Sequence, residues 1–423
     1  MKSDDQQAPV SALREDIQGE LDRLGTADVI LGIPAYNNED TVGDVVERLA
    51  RGIREVYPDK KAVLMVADGG SLDDTREAAR RAEVPDEVER FVTIYRGLAG
   101  KGTALRAVFE AGTDLDVEAG MLVDSDMRQW PAEWTRRHLK PVFEESMDLM
   151  TPLYERHKYD ATITNSVCFP LTTVLYGQRI RQPIGGDFAL SGDLMKFYAR
   201  QDEWGTDVAR FGIDIWMTTS ALCEGFDVGQ TRLGAKIHDP KDPGESLGPM
   251  FRQVVGTLFR VAGRYRDDWW DTDGYEDAPI FGSPLDAEPE PVPVNRPNLR
   301  SNAVEGWEQH RDLIQQCLSD STYEVVRQVM EDLEESDSIL SFLTPKTWIR
   351  ILCDYLVTYN FSGLERDSIM NSLVPLYFAR TWTLYHEMDP MVGSESERYL
   401  RELVDSFARE KDYLRNRWRN AKP

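Results

Sequence analysis

Residues 120–126 read Gly-Met-Leu-Val-Asp-Ser-Asp, a short apolar run that stops on two carboxylates one residue apart. Gly120–Val123 has the pattern of a buried strand, and Asp124 marks its carboxyl end. The same unit recurs upstream. Asp28–Ile33 (DVILGI) is closed by Pro34, Ala62–Ala67 (AVLMVA) is closed by Asp68-Gly69-Gly70, and Phe91–Tyr95 supplies a further strand. Between them lie helical patterns. Val42, Val45, Val46, Leu49, Ile53 and Val56 follow the N-cap candidates Asp40 and Thr41; Leu72–Ala82 and Thr103–Ala111 read likewise. Strands alternating with helices predict an α/β fold with a mainly parallel sheet. In such sheets ligands bind beyond the carboxyl ends of the strands. Polar residues collect there: Pro34-Ala35-Tyr36-Asn37, Asp68 and Asp124.

The 423 residues leave room for two or three domains. The pattern divides into a polar helical arm (1–26), the sheet-bearing domain (27–265), a linker rich in proline and acid (266–300) and a helical region (301–423). The last, with runs such as Leu313, Ile314, Cys317 and Leu318, is expected to be an accessory or oligomerisation element, so a homo-oligomer is expected. No apolar run reaches the ~20 residues of a membrane span. The first residues carry no apolar signal core, which predicts a cytoplasmic protein. A net charge of -25 repels nucleic acid, so an anionic substrate must meet a local cluster of cations, metal or helix N-termini. Four scattered cysteines without a CxxC pair speak against zinc or iron–sulfur centres.

Several residues carry candidate chemistry, each with a plainer alternative. Asp124 and Asp126 can face a cleft together, one ligating Mg²⁺ or Mn²⁺ and the other a metal-bound water or a ribose hydroxyl; the alternative is a solvated turn. His238 is a second candidate ligand or a structural histidine. Lys101, between Gly100 and Gly102, offers a point charge for phosphate, and the glycines let backbone amides approach an anion; otherwise it is an ordinary strand–helix turn. Asp68-Gly69-Gly70-Ser71 holds a base or ribose, or caps a helix. In Arg179–Phe188, the double glycine Gly185-Gly186 admits a ligand close to the backbone and Asp187 can bind sugar hydroxyls. Asp214 is a general base, a sugar anchor or an N-cap. Arg156, Thr162, Thr164 and Asn165 suit a small carboxylate or phosphate acceptor, or form a polar loop.

Taken together these residues resemble the GT-A glycosyltransferases over roughly residues 28–265, and more narrowly the retaining enzymes that make glucosyl-3-phosphoglycerate and mannosylglycerate. Pro34, Ala35, Tyr36, Asn37 and Glu39 are similar to the base-holding segment, with an extra Asn38 inserted. Asp68 and Ser71 match its ribose and base contact, Lys101 its GKG, Asp124-Ser125-Asp126 its DxD, and Pro183–Asp187 its sugar-binding turn. Asp214 falls at an acidic position and His238 at the metal-binding histidine. The G-R-V-T acceptor segment is missing; Arg156–Asn165 looks more like the glycerate loop of mannosylglycerate synthase. The resemblance implies metal-dependent transfer of glucose or mannose from UDP-glucose or GDP-mannose to D-glycerate or 3-phosphoglycerate, with retention. Were the enzyme inverting, on a polysaccharide or lipid acceptor, Asp187 or Asp214 would be the base. A non-catalytic nucleotide-sugar-binding scaffold is the rival from another class.

Overall fold

A computed structural model describes residues 10–237, 243–285, 287–335 and 343–421. The strands, in chain order, are β1 (Val29–Ala35), β2 (Ala62–Asp68), β3 (Val88–Ile94), β4 (Ala119–Leu122), β5 (Leu149–Glu155), β6 (Gln178–Arg179), β7 (Phe188–Ser191), β8 (Val228–Ala235), β9 (Glu276–Asp277) and β10 (Ile280–Phe281). Eight of them form one sheet in the order β10-β8-β5-β7-β4-β1-β2-β3. β1 pairs in parallel with β2 and β4, and β2 with β3, as the alternating pattern predicts. β1 and β2 are buried at every position, because helices cover both faces of a parallel sheet. This is the mainly parallel α/β sheet that the alternating pattern predicts.

The helices are α1 (Glu15–Leu24), α2 (Val42–Val56), α3 (Thr75–Arg81), α4 (Lys101–Asp114), α5 (Ala132–Glu144), α6 (Phe169–Tyr176), α7 (Gly192–Ala199), α8 (Ile213–Cys223), α9 (Pro243–Arg264), α10 (Arg266–Trp270), α11 (Arg296–Cys317), α12 (Asp320–Glu335), α13 (Pro345–Phe361), α14 (Arg366–Met388), α15 (Gly393–Arg409) and α16 (Lys411–Asn420). None of the described helices is long and apolar enough to cross a membrane.

The chain forms two compact units that interleave in sequence. The first takes the chain up to Leu153, with Gly185–Leu233 and Pro279–Leu285. The second takes Tyr154–Ile184, Gly234–Ala278 and the chain after residue 286. The stretch 266–300 is therefore not a plain linker. It holds α10, β9, β10 and the start of α11, and β10 extends the sheet beside β8, with Ile280 opposite Gln230. Proline-rich composition disfavours helix between α10 and α11, whereas two ladder positions suffice for an edge strand. In the second unit α14 is buried along most of its length, with Tyr377 stacked on Phe251 at 4.2 Å.

One strand runs against the expected pattern. β7 is antiparallel to β4, with Leu122 opposite Phe188. The residues just before β7 are therefore delivered beside the residues just after β4. That reversal brings Gly185–Asp187 to the Asp124–Asp126 turn.

Candidate active site

The site begins at the end of β4. Asp187, fully buried, accepts the Asp124 N–H on Oδ1 at 2.9 Å, fixing the start of the Asp-Ser-Asp turn. Lys101, the first residue of α4, reaches the same place. Its Nζ lies 2.8 Å from Asp124 Oδ1 and 3.2 Å from Asp214 Oδ1, and 3.3 Å from the Gly186 carbonyl. Burial alone would lower the Lys101 pKa, but Asp124, Asp214 and Asp187 outweigh it and hold the ammonium well above its usual range. One buried cation thus sits among three carboxylates, a local excess of negative charge.

The structure separates the alternatives for several residues. Asp214 lies in the first turn of α8, but the N-cap position is Gly212 and no side chain caps the helix; the Asp214 carboxylate turns to Lys101 instead. The glycines around Lys101 serve packing as well as any ligand. A Cβ on Gly102 would lie 1.7 Å from the Val208 carbonyl oxygen, so only glycine fits against the 206–210 segment. The Gly102 amide donates to the Arg210 carbonyl at 3.2 Å and the Gly100 amide to the Tyr95 hydroxyl at 2.9 Å. Both flanking amides are engaged, which leaves the Lys101 ammonium as the charged group of this turn.

The first turn is held by its own side chains. Asp68, fully buried at the end of β2, accepts from the Gly70 and Ser71 amides at 2.9 and 3.0 Å, from the Ser71 hydroxyl, and from Arg76 Nη1 at 2.8 Å. It does not cap α3, whose N-cap position is Asp74. Asn37, at φ 53°, sets its side-chain oxygen on the Leu72 amide at 3.0 Å and its own amide on Ser71 Oγ at 2.8 Å. Glu39 accepts from the Asp74 amide at 2.8 Å. Tyr36, by contrast, is 58 % exposed at this edge, after Pro34 and Ala35 have completed β1.

Sequence reasoning passed over the role of Asn38 and placed Thr41 at the N-cap without the use of its hydroxyl. The inserted Asn38 accepts from the Ser125 hydroxyl at 2.8 Å, and Thr41 donates to the Ser125 carbonyl at 2.7 Å. Together they tie the first turn to the Asp-Ser-Asp turn. Thr41 is the N-cap residue of α2, but its hydroxyl is not on the helix. The signal available was the short polar side chain at a place where two strand ends must meet.

Asp126 is half-buried in the same turn as Asp124. His238, its expected metal partner, lies outside the described residues. Among the described residues no group of three or more His, Cys, Asp or Glu side chains is arranged to hold a metal ion.

The candidate acceptor residues fall in the second unit. Arg156 Nε lies 2.7 Å from Asp160 Oδ2. Thr162 shares a hydrogen bond of 2.6 Å with the Tyr377 hydroxyl. Thr164 and Asn165 are buried in a single π-helical turn, Thr164–Cys168, and Asn165 Nδ2 donates to the Asp160 carbonyl at 2.9 Å. Lys158 donates to the carbonyls of Met388, Asp389 and Met391 at 2.8–3.0 Å, closing the C-terminal end of α14.

With this geometry in hand, relatives can be compared. No family model matches the chain. A curated protein from Mycolicibacterium smegmatis is 28% identical, over 56% of this chain and 78% of its own length. It is a glucosyl-3-phosphoglycerate synthase. Among solved structures, the Mycobacterium tuberculosis glucosyl-3-phosphoglycerate synthase with Mn²⁺, uridine diphosphate and glucosyl-3-phosphoglycerate is 24% identical, covering 58% of this chain and 84% of that one at a TM-score of 0.44. The same enzyme with phosphoglyceric acid is 24% identical over the same shares, at 0.45. The chain is thus similar, over somewhat more than half its length, to a sugar-transferring enzyme.

Proposed function

We propose that the protein is a metal-dependent glycosyltransferase that moves glucose or mannose from a nucleotide-sugar onto a small acid such as D-glycerate or 3-phosphoglycerate. The observation that carries this reading is Lys101 held among Asp124, Asp214 and Asp187 at the carboxyl end of β4. A cluster with surplus negative charge and one fixed ammonium suits a divalent cation with a diphosphate: the carboxylates take the cation, and the ammonium takes phosphate oxygen. The curated relative, whose name states sugar transfer to 3-phosphoglycerate, supports the same class.

The roles follow from placement. Asp126, with Asp124 and with His238 by resemblance, would hold Mg²⁺ or Mn²⁺, which supplies neutralisation of the departing diphosphate. Lys101 balances the diphosphate charge that grows as the anomeric C–O bond breaks. Tyr36, exposed beside a turn whose Asn37, Asp68 and Ser71 are already hydrogen-bonded, offers its ring to the nucleobase. Gly185 and Gly186 admit the sugar; Ser125 ties the Asp124–Asp126 turn to Asn38, and Glu39 ties the segment after β1 to the Asp74 amide. Asp187 is poorly suited to be a base, being fully buried with one oxygen on the Asp124 amide. A retaining reaction needs none: the acceptor oxygen bonds the anomeric carbon, the bond to phosphate breaks, and the acceptor proton passes to the leaving phosphate oxygen. Asp214 then steadies Lys101.

The test is nucleoside diphosphate release from UDP- and GDP-sugars with Mg²⁺ or Mn²⁺ and either acid, beside Asp126→Ala. Acceptor-dependent release with one donor, lowered at least ~10²-fold in the variant, is expected. Nucleotide-sugar binding without release on any acceptor would favour the scaffold reading.

A further inference from the structure

Behind the Asp124 turn lies a buried histidine that the proposed reaction does not use. His138 stands in the middle of α5 with no solvent exposure. Its Nδ1 lies 3.0 Å from the Trp134 carbonyl oxygen. Its Nε2 is buried without a hydrogen bond of good geometry. The carboxylate and the main chain of Asp187 act on the ring, both favouring its protonated form. Burial opposes them and pushes the imidazole down to about 4, so the ring is neutral at ordinary pH. A neutral imidazole has one N–H. Whichever nitrogen carries it, the other presents a lone pair to groups that themselves accept.

The ring also touches the far end of the same turn. Trp130, four residues after Asp126, packs on His138 with ring centroids 5.4 Å apart, and its Nε1 donates to Thr135 at 3.0 Å. Trp134 meets Trp130 edge-on at 5.5 Å. The imidazole therefore packs on Trp130 at one end of residues 124–130 and interacts with Asp187, which accepts the Asp124 amide at the other. A phenylalanine would fill this apolar box without leaving a buried nitrogen unsatisfied. The imidazole is thus a costly filler for the core.

We propose that His138 is a positioning residue for the Asp124–Asp126 turn, acting through Asp187. The proposal rests on reading that turn as the donor and metal end of a transferase. Second-layer groups of this kind fix the orientation of the residues in front of them, and their loss commonly weakens metal binding 10- to 100-fold.

The experiment has two arms on the full chain, with His138→Phe, which keeps a ring against Trp130, and His138→Gln, which keeps a polar end. The first arm is hydrogen exchange on the ligand-free protein. Exchange at least about tenfold faster in 123–128, with β3 unchanged, is expected for His138→Phe, with partial recovery in His138→Gln. Uniform acceleration through β3, or no change, in a folded variant overturns the proposal. The second arm is Mn²⁺ affinity in the presence of UDP, measured by calorimetry. About a tenfold loss is expected in His138→Phe, as in Asp187→Ala, with the double variant no weaker than Asp187→Ala alone. Additive losses overturn it, since His138 would then act independently of Asp187. Wild-type protein that binds neither Mn²⁺ nor UDP brings down the transferase reading, while the exchange arm still decides the role of His138.

Discussion

Lys101 and Lys411 are lysines with little solvent exposure, one in each unit, and their surroundings differ. Lys101 faces Asp124 and Asp214 with Asp187 close by, and its pKa is raised despite burial. Lys411 hydrogen-bonds to main-chain oxygen: Nζ donates to the carbonyls of Val174 at 2.7 Å and Thr272 at 2.6 Å, and Asp273 is the one carboxylate that raises its pKa. Burial, with Arg415 adding to it, pushes Lys411 down to about 8. Val174 lies in the last turn of α6, so Lys411 closes a helix end. The lesson is that a buried cation does not mark a site. Surplus opposite charge around it does, because that charge has a use only when something else arrives.

The largest effect should come from breaking the first half of this comparison. Lys101→Met keeps the bulk of the side chain and removes the ammonium that Asp124 and Asp214 contact. We expect kcat/KM to fall by about 10³-fold or more and the urea midpoint to fall as well, since removing one partner of a largely buried ion pair costs about 3 kcal/mol. Activity within tenfold of wild type would reduce the cluster to a structural ion pair. The pH sign is fixed by the raised pKa. Stability from Lys101 is fully present below its unfolded value near 10.5 and is lost only as pH rises through the higher folded value, so no decline belongs to Lys101 between pH 6 and about 10.

Asp214→Asn is the milder cut. It keeps the shape in α8 and removes one of the two charges contacting Lys101. A loss of ~10- to 100-fold in kcat/KM, with acceptor KM little changed, is expected from steady-state kinetics at saturating donor. A loss as large as that of Lys101→Met would instead give Asp214 a direct part at the reacting atoms.

Lys411 sharpens the other half. Its folded pKa lies below its unfolded value, so the unfolded chain binds more protons between about 8 and 10.5, and stability rises with pH across that window. After allowance for partial solvation, the gain from pH 7 to 9.5 is about 1–2 kcal/mol. Denaturant melts should show that rise in wild type and a flatter profile in Lys411→Met. Parallel profiles would mean that Lys411 stays charged in the fold.

Much of this was legible in the sequence, for a physical reason. Parallel strands buried on both faces need continuous apolar runs, and those runs end where the polar residues begin, so DVILGI, AVLMVA and GMLV located both the sheet and the edge where its polar residues gather. The antiparallel turn of β7 was not legible, because Phe188–Ser191 is too short to show direction, although it is what brings Asp187 to Asp124. Nor was the destination of single polar groups. Asn38 looked like an interruption of a motif and proves to link two turns; His138, which no motif singles out, is wholly buried. Side-chain hydrogen bonds between residues far apart in sequence leave no period to read.

The segment 156–165 shows the same limit, and it gives the smallest prediction. Its Arg, Thr and Asn residues have the composition of a small-anion grip, yet Thr162 directs its hydroxyl to Tyr377 on α14. Tyr377→Phe removes that partner and leaves the Thr162 hydroxyl buried alone, which should cost about 1–2 kcal/mol in a denaturant melt. Thr162→Val in the same background should recover part of the loss, because an apolar pair of similar shape leaves no orphaned group. Acceptor KM should stay within about twofold in Thr162→Val alone, since a hydroxyl facing α14 is not facing substrate. A tenfold rise in acceptor KM with unchanged stability would reverse the assignment: Thr162 would then leave Tyr377 for the acceptor, and the hydrogen bond seen here would be its resting contact.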